Sequence, residues 1–571
     1  MTYDGIVRGT YRKFFIPTAI STMSIAVMNL LNILFAGLFF GNGGSYVVGL
    51  ALPVVIFSSI ITYFFGVGGG IAISIRQGRG DRREAGGLFT AAVTGTVVLG
   101  AAAAVLGGLG AGLLLPVLGA KTAAEQALAG GYLRILFLGM PGVLLCGVLN
   151  VILRNDNQPK LAMAGTLVSI LSNLVLLGLF IGVLRLPVWC IALATVLSNT
   201  LCALVYLGYF FFGKSTLKFQ RAPFCACIRE IAQPGFAGSM IFLTQTILTV
   251  VINNILLAVG GAAGIAAYGV VKYAITFIYA VYDSINDSAQ PMFSVYYGER
   301  DQNSIRLTAK TAGRFLLVAA AALCAGLCLL APLFSRLFSL EVTGAVRTIG
   351  AACLFSGAVA FLNSVYRATG RAWLSLVFTA LDNLLLPVVL IYVLTYGLGM
   401  GVAGVWLALA LAELLTLALM ALTARGNLLR LGGMDTPPEK VYQTLILNDE
   451  ANIVAITEEI QAFCRRNEID EKKQYYILLC LEEIAVNIIH YGFRDGREHY
   501  IDIRIVAGGN VLLNIRDDAI QFDPTAKVEA DVTSSAEERD IGGLGIYLVK
   551  KVAKEFSYKR VIGFNNLHIV L

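Results

Sequence analysis

The sequence predicts two folds in one chain: an all-α polytopic membrane domain of about twelve helices, followed by a soluble α/β domain. Three observations predict it. The 571 residues are 57% hydrophobic and only 14% charged, with a mean hydropathy of +0.76, well above ordinary globular domains. Apolar runs near the ~20 residues that a bilayer core requires recur from residue 14 to residue 423. After Ala424 they stop, and ARGNLLRLGGMDTPPEK, basic and containing Gly and Pro, leads into a segment of mixed periodicity, whose ~130 remaining residues suit one soluble domain. The expected boundaries are a membrane domain at 1–425 with halves at about 1–213 and 230–425, a linker at 426–440, and a second domain at 441–571.

The spans fall at about 14–40, 46–75, 88–117, 130–152, 161–184, 187–212, 234–258, 264–297, 308–338, 345–366, 374–397 and 401–423. Sixty glycines fit the close helix packing of membrane bundles. The first run lacks the pattern of a cleaved signal and is long enough to span. Charge alternates along the connections. Arg8, Arg12 and Lys13, then Arg76, Arg79, Arg82 and Arg83, then Arg154 and Lys160, then Lys214, Lys218, Arg221 and Arg229 mark one side. Arg300, Arg306, Arg367, Arg371, Arg425 and Arg430 continue the series. The intervening loops are poor in Lys and Arg. Positive loops mark the cytoplasmic face, so both termini and the soluble domain are expected in the cytoplasm, with the spans in the inner membrane. The net charge of +7 is thus accounted for beside the bilayer and argues for no nucleic-acid partner. Ten scattered cysteines show no disulfide or zinc spacing; Cys225-x-Cys227 reads as membrane-proximal packing.

The membrane domain repeats. Ser74, Gly78 and Asp81 (SIRQGRGD) return as Ser294, Gly298 and Asp301 (SVYYGERD), each 220 residues on; Asn150 and Arg154 return as Asn363 and Arg367, 213 residues on. Six spans per half give the two halves one orientation, as in transporters built from parallel repeats.

Within Ile275–Asp301, most of it apolar, stand Asp283 and Asp287. Four residues apart on a helix, they share a face. A carboxylate in hydrocarbon costs several kcal/mol or more unless it meets a polar cavity or a partner, so the pair reads as part of a substrate or ion path. Asp382 and Glu413 are the other intramembrane acids. Asn29, Asn32, Gln245, Asn253, Asn254, Tyr282 and Asn286 are polar companions. Structural readings stand beside these: Asn253 and Asn254 as interhelix hydrogen-bonding groups, Glu413 as a structural partner of a base, and Arg76–Arg83 as a solvated, topology-setting loop. Lys272, about three turns before Asp283, is placed to neutralise some other acid.

Several segments resemble the MATE family of multidrug and toxin extruders, close to its MepA-like bacterial members. They are GVGGGIAISIRQGRGD at 66–81, YLRILFLGMPGVLL at 132–145, IALATVLSN at 191–199, SAQPMFSVYYGERD at 288–301 and GVAGVWLALALAELLT at 401–416. The resemblance implies two six-helix bundles around a central cavity. It also implies export of small amphipathic or cationic solutes, driven by Na⁺ or H⁺. Many relatives carry an aspartate in a segment resembling NLVDTIFVG; here NLLNILFAG puts Asn32 at that position. An amide carries no proton, so either the acids have moved to the second half, the coupling ion differs, or the chain is no active antiporter.

The C-terminal segment reads as a strand at 441–447, helices at 450–467 and about 471–491, strands at 499–506 and 510–516, a loop at 525–541, a helix opening at GGLG, and two closing strands. It resembles the GHKL ATPase domain, a Bergerat-type sandwich, in the anti-sigma-factor-kinase branch. Glu483-Ile-Ala-Val-Asn487 matches the E-x-x-x-N box, in which the Asn holds Mg²⁺ and the Glu orients the nucleophile. Asp517 to Pro524 matches D-x-G-x-x-F-D-P, with Asp517 toward the adenine amine and Phe522 in its wall, although Ala519 replaces the usual Gly. Gly542 to Gly545 matches the second glycine box, so that Gly543 and Gly545 approach the phosphates of ATP at a helix N-terminus, a natural anion site. His490 and His499 read as structural.

Two functions of different class follow. One is a cation-coupled exporter regulated by the ATP-binding domain; nothing resembles a Walker A motif. The other is a membrane sensor whose C-terminal domain is a Ser/Thr kinase with Glu483 as base, acting on an anti-sigma-antagonist-like (STAS) partner. Lipid-linked substrate flipping is a third, implied by related superfamily members.

Overall fold

A computed structural model describes residues 3–571 except 119, 121, 214, 339, 424–436, 494–497 and 526–543. The chain divides into two compact units, one made of Val7–Arg76 and Arg82–Leu431, the other made mainly of Gly432–Leu571. The expected linker lies largely outside the described residues.

The membrane unit is all helical. Among the described residues eleven helices are long and apolar enough to cross a bilayer: Gly5–Gly41, Leu52–Arg79, Arg82–Leu118, Pro159–Val183, Trp189–Phe212, Phe224–Gly261, Ala263–Gly298, Gln302–Phe338, Thr343–Ala368, Ala372–Gly397 and Val402–Thr423. A bent pair, Glu125–Leu138 and Met140–Asn155, meets at 51° and completes twelve spans. Its bend follows from Pro141, which removes a backbone donor at the break. The predicted spans are all present, several longer than expected because polar ends continue the helix.

Backbone geometry carries the sequence repeat. Left-handed residues stand at Gly41 (φ 59°) and Gly261 (φ 60°), at Gly80 (φ 90°) and Arg300 (φ 55°), and at Asn157 (φ 62°) and Gly370 (φ 73°). The first two pairs share the 220-residue offset and the third the 213-residue offset of the sequence signatures. L-residues avoid this region, so matching positions mean the same turns were built twice.

Among the described residues of the membrane unit, helix regularity breaks at four π-helical stretches: Tyr63–Val67, Gly178–Val183, Leu381–Leu385 and Val393–Gly397. Such bulges rotate the following side chains out of phase and often sit at functional sites.

The C-terminal unit is a five-stranded antiparallel sheet carrying helices. Strands β1 (Val441–Leu447), β2 (Tyr500–Val506), β3 (Leu512–Asp517), β4 (Glu555–Val561) and β5 (Phe564–Val570) lie in the order β1-β2-β3-β5-β4. Helices α1 (Ala451–Arg466), α2 (Glu471–Asn487) and α3 (Leu544–Val552) supply one side of the core. Ile501, Ile503, Ile505, Leu513, Ile515, Leu567 and Ile569 come from the strands, and Ile456, Ile460, Phe463, Cys480, Leu481, Ile484 and Val549 from the helices. The alternation that predicted the strands thus faces one way. At the start of α2, Asp470 caps the helix by accepting from the Lys473 N–H at 2.8 Å, satisfying an otherwise orphaned donor.

Candidate transport and nucleotide sites

A cavity of about 450 Å³ opens within the membrane unit. Its wall is almost wholly of the first half: Asn29 and Asn32 from the first span, Ser59 and Tyr63 from the second, Tyr132, Met140 and Asn150 from the fourth, Thr195 and Asn199 from the sixth. Asn32 donates to Thr195 Oγ1 at 3.1 Å, and its own oxygen is buried without a partner among the described residues. The second half contributes one lining residue, Asp287, the single acid in the wall among the described residues. The expected central cavity is therefore built mostly by one half, and its acid is lent by the other.

Asp287 accepts from Arg154 Nη1 at 2.9 Å. This corrects the sequence expectation for Arg154, which was assigned to a positive loop. It belongs to the last turn of the fourth span, with its side chain 7% exposed. An arginine there needs a counter-charge, and Asp287 is it. Asp283, one turn earlier, lies within the field of Asp287, Arg154 and Arg367, and so does Tyr63 in the π-helical turn. The pair of aspartates and the repeated arginines thus form one cluster at the junction of the halves.

Further polar links join the halves on the same side. Arg76 makes a bidentate pair with Glu230 (2.8 and 3.0 Å) and also meets Glu84. Gln290 donates to Asn155 Oδ1 at 3.2 Å, which also accepts from Ser74 at 2.7 Å. Tyr11 donates to the Ile285 carbonyl at 3.2 Å. Backbones touch as well: a Cβ on Gly68 would lie 2.6 Å from Gly235 Cα. All these contacts lie toward the span ends that carry the basic loops.

A second acidic site lies inside the second half. Glu413 accepts from Tyr279 at 3.0 Å, and Asp382 accepts from Asn383 at 3.0 Å. Asp382 Oδ1 and Glu413 Oε2 are buried with no donor among the described residues, and the two carboxyls lie close enough to act on each other electrostatically. Two acceptor-only groups cannot bond one another. One proton shared between them, or one small cation, resolves the contact. Asp382 owes its direction to the π-helical turn Leu381–Leu385, which no sequence periodicity announces.

Other predicted residues find structural partners. Tyr282 is fully buried and donates to the Cys353 carbonyl at 2.6 Å, tying the eighth span to the tenth. Lys272 donates to Thr249 at 2.7 Å and neutralises no intramembrane acid among the described contacts. Asn253 is half-buried, and no hydrogen bond is described for it.

The C-terminal unit holds a cavity of about 320 Å³, lined by Asn487, Tyr491, Asp517, Ala519, Ile520, Phe522, Asn565 and apolar neighbours. Three of the predicted ATP-binding residues, Asn487, Asp517 and Phe522, thus meet in one pocket. Asn487 Nδ2 donates to the Glu483 carbonyl at 2.5 Å, leaving Oδ1 as the atom able to hold a metal. Glu483 packs against Gly545, where a Cβ would meet its carboxylate and force that side chain to shift. Gly543 lies outside the described residues. Burial pushes the Asp517 carboxyl up to about 6, against hydrogen bonds from Asn565 and the Ala519 N–H that favour the charged form. Ala519 needs no positive φ. Its methyl is accommodated because residue 492, directly opposite, is glycine: a Cβ there would lie 2.8 Å from that of Ala519. His490 meets Glu450, and His499 bonds Asp518 at 3.1 Å while stacking on Phe493, both structural placements. Among the described residues no cluster of three or more His, Cys, Asp or Glu forms a metal site.

A polytopic bundle of two repeated halves with an internal polar cavity has the fold of a secondary transporter. Residues 17–178 match the MatE family model, and residues 446–570 match that of the histidine kinase-like ATPase domain. The two matches fall in separate stretches of the chain, one in each unit, and the chain is thus similar to the MatE family in one and to the histidine kinase-like ATPase domain in the other. It is 27% identical over 290 residues to the multidrug export protein MepA of Staphylococcus haemolyticus (strain JCSC1435), covering 49% of this chain and 62% of the relative. MepA of Staphylococcus saprophyticus is 26% identical over 260 residues, covering 45% and 57%. The chain thus spans about three fifths of the length of these curated relatives. Among solved structures, a MOP superfamily transporter from Pyrococcus furiosus, described as having a binding pocket of reverse polarity, superposes with a TM-score of 0.69 at 22% identity, covering 74% of this chain and 96% of that one. The outward-facing conformation of a multidrug resistance MATE family transporter gives the same values. The shared feature is the fold: a multi-pass MATE-type membrane bundle. The ATPase-like domain points to ATP as its ligand.

Proposed function

We propose that this chain is a cation-coupled antiporter that exports small amphipathic or cationic solutes across the inner membrane, with the C-terminal domain binding Mg-ATP in the cytoplasm and regulating export. The observation that carries the transport reading is Asp287. It lines the cavity of the first half, comes from the second, and is held there by Arg154. A cationic solute entering the cavity competes with Arg154 for this carboxylate, so binding loosens a link between the halves. The Asp382–Glu413 pair, which takes one proton or one Na⁺, is the second arm of the coupling. Asp283 belongs with the first arm, and Asn32 serves as a polar contact in the wall.

In the nucleotide pocket, Asp517 receives the base, Asn487 Oδ1 is placed for Mg²⁺, and Glu483 stands beside the phosphate end. The positive loops support a cytoplasmic location for both termini and this domain. The relatives named as multidrug exporters favour an exporter over the sensor-kinase reading. The cavity's single lining arginine, already paired, gives a lipid-phosphate substrate little to bind.

The test is efflux of a fluorescent cationic dye from proteoliposomes under an imposed Na⁺ or H⁺ gradient. Removing one partner of a buried ion pair costs ~3–5 kcal/mol, so Asp287→Asn is paired with the exchange Arg154→Asp/Asp287→Arg. Efflux is expected to vanish in Asp287→Asn. The exchanged protein, with the pair restored but the carboxylate moved, should be as stable as wild type yet altered in dye preference. Wild-type efflux that ignores both gradients, or Asp287→Asn with full activity, would refute the reading.

A further inference from the structure

Two cysteines of the first half face each other across a helix contact, and the proposed export uses neither. Cys146 lies in the fourth span and Cys202 in the sixth, and both are buried free thiols. As even-numbered spans, the two helices cross in the same direction. Asn150 Nδ2 donates to Tyr206 Oη at 3.0 Å, and Tyr206 donates to the Ala162 carbonyl at 2.7 Å, which fixes the register of the contact. Each cysteine stands four residues before its member of the Asn150–Tyr206 pair, one helical turn back on the same face. Another turn back along the fourth span, a Cβ on Gly142 would lie 3.1 Å from Thr200 Cβ, so the helices approach closely there too. The two thiols accordingly act on each other.

The pair is reachable. Cys146 lines the solute cavity together with Met28 and Met140, whose polarisable thioethers suit the passage of a soft ion. The groups that act on the two thiols are each other and Tyr206; no charged side chain is among them. A hard cation would need several oxygen ligands, and a zinc ion four ligands in a tetrahedron. Among the described residues no third His, Cys, Asp or Glu joins the pair. Two facing thiols suit an ion satisfied by two sulfurs. Charge then selects its valence: a monovalent ion between two thiolates leaves a buried anion, which is costly without a partner, whereas a divalent ion leaves none.

We propose that Cys146 and Cys202 form a two-thiol site for a soft divalent metal ion of the mercuric type, entered from the solute cavity and bridging the fourth and sixth spans. On binding, two S–H bonds break, two metal–sulfur bonds form, and both protons leave through the cavity to solvent. The bridged pair is neutral and no oxidation state changes.

The test uses reduced full-length protein in nanodiscs, loaded with Hg²⁺ and then washed with excess glutathione. A lone cysteine gives its ion up to the competing thiol, while a facing pair holds it because the second thiol acts at high effective concentration. Mercury retained per protein is measured for the wild type, Cys146→Ala, Cys202→Ala and the double variant. Each variant, the double included, should retain one ion fewer than the wild type, because a single ion needs both thiols. Proteolysis of the washed wild type should release the segments bearing Cys146 and Cys202 joined by one mercury, a result that requires no variant to fold. Dye efflux enters neither readout, so the outcome is independent of the transport reading. Unchanged retention in the variants overturns the proposal, as does a double variant that loses twice what each single one loses. Mercury found only on other segments overturns it as well. Recovery of Cys146 and Cys202 as a disulfide would make the pair a redox link and also overturn the metal site.

Discussion

Asp517 shows how one residue's surroundings set a condition for the whole domain. Burial raises its carboxyl to about 6, and only the charged form accepts an amine without offering a proton. Above pH 6 the empty pocket is ready; below it, a proton must leave before the base can bind. ATP affinity should therefore be flat from pH 7 to 8 and weaken below pH 6, approaching tenfold per pH unit, measured as Kd by titration of the intact protein. Asp517→Asn should abolish the pH dependence along with most of the affinity. Arg154 makes the complementary point in the membrane. Its type and place were legible, and so was its repetition as Arg367, but an arginine at the edge of an apolar run reads equally as a loop charge. Only the packing of the fourth span against the eighth shows that it is the partner of Asp287. The recurrence of an arginine at the same repeat position was the available signal.

At the scale of elements, twelve spans and five strands were legible because hydropathy and alternation are local properties. Asp382 and Glu413 were visible as acids, but their meeting depends on a π-helical turn at Leu381–Leu385 that shifts phase without altering composition. Gly492 could not be linked to Ala519 from sequence, since 27 positions separate two residues that pack as one contact. The halves were legible as a repeat, whereas the contacts between them arise from tertiary packing. Gly68 and Gly235 let the second and seventh spans approach backbone to backbone. A bulky residue there must push the halves apart at the end bearing the basic loops. Gly68→Leu should therefore favour the state open on that side. A cysteine introduced at Ser74 should react faster with a membrane-impermeant maleimide in Gly68→Leu than in the Gly68 background. Equal rates would mean that this approach does not hold the halves together.

For the whole molecule, the proposed antiport makes the two acidic sites opposite arms of one exchange: Asp287 at the solute cavity of the first half and Asp382–Glu413 as the cation site of the second. Contact between the halves through Arg154, Arg76, Asn155 and Gln290 gives the arrangement a closed side, and rupture of those links supplies the other state. The measurement that tests this most directly is cation counterflow. Dye is added to sealed proteoliposomes with no imposed gradient, while lumenal pH and ²²Na⁺ content are followed together. The account predicts that dye moving one way drives H⁺ or Na⁺ the other, and that Glu413→Gln abolishes the cation movement. Dye transport with no cation movement, or cation movement unchanged in Glu413→Gln, would contradict it.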